Sequence, residues 1–146
     1  MPTKIAPMLA VRGGYEAIAF YKAAFGAKVL WRLGDKHIVA GLEIDGAPFF
    51  LAEEAPSFGT RTPSHAGFTT VRIELFVKDP VAVLKKAVAA GARQRSPVEH
   101  HEHETVGPKP IRRMLQGSVI DPFGHTWLIG KFLHAPRKSA PRKKRK

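Results

Sequence analysis

Cysteine is absent from this 146-residue chain, which excludes a disulfide framework, thiolate catalysis and thiolate metal sites. Acids are scarce, 12 Asp and Glu against 24 Lys and Arg, so the net charge is +12. Long apolar runs are missing too: none approaches the roughly 20 residues a bilayer-spanning helix needs. The N-terminus also lacks the uninterrupted apolar segment of a secretory signal, so the expectation is a cytoplasmic protein without membrane contact. No Gly-x-Ser-x-Gly elbow occurs, which leaves nucleophilic hydrolysis without a nucleophile. The Gly13-Gly14 pair opens a helix without the spaced glycines and lysine of a phosphate-binding loop.

What is present is globular in character, and most of the excess charge has one address. Between residues 134 and 146 there are seven basic residues and no acid; taking these seven from +12 leaves +5 for the rest. With Pro136, Ser139, Ala140 and Pro141 among them, this tail has little apolar surface to bury and is expected to be disordered. It reads as a solvated tail making weak, non-specific polyanion contacts, with a nuclear address as the eukaryotic alternative, and it leaves a polyanion-associated protein as an alternative function.

The clearest local signal is Gly117–Gly130, GSVIDPFGHTWLIG. Asp121, Pro122, Phe123 and Gly124 suit a type I turn position by position, and the apolar runs on either side make it a hairpin. From the start of the chain, Lys4–Val11 reads as a strand. Tyr15–Phe25 reads as a helix, with Ala17, Ile18, Tyr21, Ala24 and Phe25 on one stripe and Gly26 as its stop. Ala27–Leu33, His37–Ile44 and Pro48–Glu53 read as three strands. Residues 54–69 collect Pro, Ser, Gly and Thr, the composition of a linker or mobile loop.

The order then begins again. Val71–Val77 is a strand, Asp79 a helix N-cap with Pro80 behind it, and Val83, Leu84, Ala87 and Val88 form a stripe ending at Gly91. Arg93–Val98, Arg112–Ile120 and His125–Phe132 complete a second set of strands. Leu9 and Val11 correspond to Leu75 and Val77, a self-similarity at about 65 residues that marks a duplicated unit. The fold expected is α+β: duplicated βαβββ modules forming curved mixed sheets around a cleft. Module 1 spans about residues 4–54, the connecting loop 55–69 and module 2 about 70–133, all within one domain of residues 1–133.

The duplicated unit, with AIAFYKAAFGA (17–27), AVAAGA (87–92) and DPFGHTW (121–127), resembles the vicinal oxygen chelate superfamily. That group includes glyoxalase I, bleomycin-resistance proteins, fosfomycin-resistance enzymes and extradiol dioxygenases, and the chain looks most like its PhnB-like branch over about residues 4–133. The resemblance implies a homodimer, often with clefts completed by both chains. It also implies one divalent metal held by the first and last strands of each module. The first-strand positions fall here on Ala6 and Arg72, the carboxylate after the turn on Leu128, and the fourth near Leu51 or Glu53. An arginine there replaces a ligand with a fixed positive charge.

The site expected is therefore a metal-free cleft for a small anionic or aromatic molecule. Arg72 would take the anion, Trp127, Trp31 and Phe50 would form walls, and Glu53 is the one acid left nearby. Against this stands the plainer reading, that Arg72 pairs with Glu74 or Glu53 and the aromatics are core. A second candidate is HHEHE at 100–104. If extended, it puts His101 and His103 on one face, and with Glu102 these are competent ligands for zinc, nickel, iron or manganese. That cluster favours the alternative of a metal-dependent lyase, isomerase or dioxygenase; its plainer reading is an exposed irregular loop at 99–110.

Overall fold

The computed structural model describes residues 1–110 and 113–133; the basic tail, and the expectation of its disorder, lie outside them. The first unit runs β1 (Met8–Val11), α1 (Gly14–Phe25), β2 (Lys28–Leu33), β3 (Val39–Ile44) and β4 (Ala47–Glu53). A single 3₁₀ turn (Pro56–Phe58) and a one-turn helix, α2 (Pro63–Ala66), follow. The second unit is β5 (Arg72–Phe76), α3 (Pro80–Ala90), β6 (Arg93–Glu102), β7 (Arg113–Ile120) and β8 (Thr126–Phe132). The sheets repeat one topology, β1-β4-β3-β2 and β5-β8-β7-β6, with the first and last strand of each unit parallel and the other pairs antiparallel. A helical crossover is what permits that parallel pair.

Helices α1 and α3 form where expected, for the expected reasons. The Gly26 and Ala27 amides close α1 on the Lys22 and Tyr21 carbonyls at 3.0 and 3.2 Å. The Asp79 carboxylate caps α3 through the Ala82 amide at 3.1 Å, with Pro80 in the first turn. In the β7–β8 hairpin the Gly124 amide reaches the Asp121 carbonyl at 3.0 Å, and the Phe123 and His125 amides donate to Asp121 Oδ1.

Three stretches differ from the sequence reading. β1 begins at Met8, because upstream only the Pro7 carbonyl meets β4, at the Phe50 amide. β6 continues four residues past Val98, since β7 supplies partners as far as Glu102 opposite Arg113; its register slips around Pro97, which has no amide to give the ladder. Residues 54–69, read as a linker or mobile loop, contain the 3₁₀ turn and α2 and are hydrogen-bonded to the rest of the chain. The Glu54 carboxylate accepts the Thr62 amide at 3.0 Å and meets His65 Nδ1 at 2.7 Å, while the Ser64 amide bonds the Phe123 carbonyl.

One core serves both units. Leu9, Val11, Phe49 and Leu51 of the first sheet, Val119, Trp127 and Ile129 of the second, and residues of α1 and α3 form a continuous buried cluster. The Phe49 and Trp127 rings lie 5.8 Å apart, and Tyr21 packs against Phe49, Phe123 and Trp127. At its centre Asp121 Oδ2 accepts the Tyr21 hydroxyl at 2.6 Å and Trp127 Nε1 at 3.0 Å. Buried Tyr and Trp need such a partner for their polar atoms. Because both sheets turn one face to this core, their other faces carry exposed residues, Met8, Trp31 and Leu33 on the first and Arg72, Glu74 and Phe76 on the second, around the buried Gly41, Ser118 and Thr126.

Candidate functional site

On the first sheet, strand alternation and register set Met8, Phe50, Gly41 and Trp31 in one row across the four strands. The Trp31 indole lies over Gly41 and against Phe50, with 5.4 Å between ring centroids. A Cβ at position 41 would stand 2.5 Å from the indole, so only glycine leaves the platform flat. Met8, Trp31 and Leu33 are all exposed on this face.

The corresponding row on the second sheet is Glu74, Leu128, Ser118 and Ser96. Here the chemistry is polar. Ser96 and Ser118 share a hydrogen bond of 2.8 Å, and Gln116 Nε2 donates to Glu74 Oε1 at 3.1 Å. Arg72 stands two residues before Glu74 on the same side of β5, exposed, and has no side-chain partner among the described residues. Further along, Phe76 and Phe132 stack at 4.7 Å beside an open cavity of about 1030 Å³ that reaches the β3–β4 turn.

Of the five candidate binding residues, the structure brings together Trp31 and Phe50 on the first open face and puts Arg72 on the second. Trp127 is a correction. It is 1% exposed, and its alternation with Leu128 turns it to the core, so it has no surface to offer a ligand. Glu53 is a correction of another kind: its carboxylate receives the Gly13 and Gly14 amides at 3.2 and 2.5 Å and caps α1. Both acids suggested as partners for Arg72 are thus engaged elsewhere, Glu53 on α1 and Glu74 on Gln116. Sequence reasoning missed this cap, because Glu53 is 39 residues from Gly14 and no spacing rule reaches that far.

The metal candidates separate. Glu102 faces away from His101 by alternation and pairs with Arg113 at 3.5 Å. His101 Nε2 bonds the Gln116 carbonyl at 3.2 Å, and its ring lies parallel to that of His103 with centroids 6.3 Å apart. Among the described residues no three His, Asp or Glu side chains gather as a metal centre. The superfamily positions offer no donor set either: Ala6, Arg72 and Leu128 have no ligand atom for a cation, Leu51 is fully buried, and Glu53 is spent on α1. These residues do not fit the metal that the resemblance implies.

A family model described as a glyoxalase-like domain matches residues 8–129. An uncharacterized protein of Mycobacterium bovis is 35% identical over 133 residues, covering 87% of this chain and 82% of that protein. Among solved structures, a gene product from Arabidopsis thaliana superposes with a TM-score of 0.61 at 28% identity, covering 88% of this chain and 98% of that one. The fosfomycin resistance protein FosX of Listeria monocytogenes, complexed with Mn(II) and sulfate, gives 0.61 at 13% identity, covering 92% and 95%. At that distance the likeness speaks for the fold.

Proposed function

Since the chain belongs to the glyoxalase-like domain family of the vicinal oxygen chelate superfamily, we propose that it binds a small aromatic anion, without a metal, in a cleft made by two copies. In such a homodimer the aromatic platform of one copy faces the Arg72 surface of the other. The observation that carries this reading is the unequal chemistry of two outward faces built on one topology. The first is flat and apolar around Trp31, Gly41 and Phe50. The second bears a guanidinium with no partner among the described residues, beside Glu74, whose carboxylate is held by Gln116. Apolar faces of this kind on a protein surface mark interaction sites, and an arginine fork matches a carboxylate or phosphonate. The role is binding or sequestration in the cytoplasm, with the basic tail adding weak, salt-dependent polyanion contact.

The test uses 1-naphthoate as probe, with binding followed by calorimetry and assembly by sedimentation. Replacing Arg72 with Ala removes a charge-assisted contact of about 1.5–3 kcal/mol, a loss of roughly 10- to 150-fold in affinity. Trp31→Ala should weaken binding while leaving the dimer intact. Unchanged affinity in both variants, or a monomer at micromolar concentration, overturns the reading.

A further inference from the structure

A groove of about 820 Å³ runs between β1 on one side and the 56–71 wall with the start of β5 on the other; Val71 and Ile73 line it, whereas Arg72 and Trp31 do not. Its volume falls in the range of small-molecule sites, roughly 300–1,000 Å³. The lining is mainly apolar, with Met8, Phe68 and Ile73 among it, and it includes His125 and a single charged side chain, Arg61.

His125 gives the groove its specific chemistry. The residue is 9% exposed, and Nε2 lies 2.8 Å from the Ala10 carbonyl. A carbonyl only accepts, so Nε2 carries the hydrogen, and in that tautomer the acceptor lone pair is at Nδ1. The hydrogen bonds of His125 among the described residues run through its backbone and Nε2, not Nδ1. A largely buried histidine that lines the groove with one ring nitrogen anchored holds the other in place as a hydrogen-bond acceptor.

The walls are preformed. Glu54 holds Thr62 and His65, and Ser64 is tied to the β7–β8 turn. Gly124 at that turn has φ +96 and stands so close to Ser64 that a Cβ would fall 2.6 Å from its amide nitrogen. A rigid site loses little entropy when it binds.

We infer that this groove is a second ligand site, which takes a phenol: the ring fills the apolar trough and the hydroxyl donates to His125 Nδ1. Arg61, the one charge in the lining, favours an acidic hydroxyl over an aliphatic alcohol. The probe is 4-nitrophenol, titrated into the full-length protein at a pH where its absorbance shows the neutral phenol, so that the Arg72 surface has no anion to take. Saturable 1:1 binding is expected. Ala66→Phe, an exposed lining position where a larger side chain fills the groove without touching the core, should abolish it. His125→Gln, which keeps a donor for Ala10, should weaken it at least tenfold, and Arg72→Ala should leave it unchanged. Wild-type affinity in Ala66→Phe, loss of binding in Arg72→Ala, or no saturable binding because a second copy covers the groove would each overturn the assignment. Should His125→Gln fail to fold, Ala66→Phe and Arg72→Ala still decide.

Discussion

Replacing Tyr21 with Phe deletes one oxygen and one hydrogen bond from the centre of the molecule. The hydroxyl donates to Asp121 Oδ2 at 2.6 Å, and both side chains are almost wholly buried. A hydrogen bond to a charged partner is worth about 1.5–3 kcal/mol, and the burial of both side chains makes the lost donor count in full. For a domain of this length that corresponds to a fall in Tm of about 3–12 °C. The loss should depend on pH. Burial first, then the Asp121 charge, raises the Tyr21 pKa well above its ordinary value of 10.0. The folded protein therefore keeps a proton that the unfolded chain gives up near pH 10. Stability from this group is complete below that pH and is lost as the pH climbs towards the folded value. Urea denaturation from pH 7 to pH 11 should give a Tyr21→Phe deficit that is constant at neutral pH and shrinks above pH 10. A Phe variant with the wild-type midpoint and slope at pH 7, or a deficit unchanged at pH 11, would refute the reasoning.

Other positions give separate tests. Glu53→Ala removes the acceptor of two amides at the start of α1 and should cost about 0.5–2 kcal/mol, read by chemical denaturation. Gly41→Ala should push the Trp31 indole off its platform, with a red-shifted tryptophan emission and weaker naphthoate binding. Trp31 is 40% exposed, so the change in stability should stay within about 1 kcal/mol. The Glu54 carboxyl is held down at about 2, chiefly by the Thr62 amide and then by His65. Its hold on the 56–71 wall is thus present above the ordinary carboxylate pKa and lost as pH falls through about 2. Glu54→Gln should reproduce that release at neutral pH, seen as faster amide exchange at residues 56–67 with the core strands unchanged.

Local chemistry and repetition were enough to read the architecture. Gly26 and Gly91 as stops, Asp79-Pro80 as a start and Asp121–Gly124 as a turn act over a few residues and need no neighbours. The correspondence of Leu9 and Val11 with Leu75 and Val77 extended that reading to a doubled unit. Only the resemblance to the superfamily marked Ala6, Arg72 and Leu128 as metal positions, and their side chains carry no ligand atom for a cation. Period-two alternation correctly put Trp127 and Ile129 on one face of β8, yet it could not say which face the core would take. Leu128 and Phe132 make the opposite face apolar as well, so only the shared core of the two sheets decided that Trp127 packs on Phe49 while Trp31 and Phe50 stay outside. The same holds for polar partners. Asp121 reads as a turn residue, but its bond to Tyr21 spans 100 positions. Glu53 reads as a free acid until Gly13 and Gly14 claim it, and the Pro- and Ser-rich stretch after it reads as loose until Glu54 closes on Thr62 and His65. Chain-local propensities set the elements and their order; burial and hydrogen bonding between residues distant in the chain chose the partners, and those exist only once the two units have packed together.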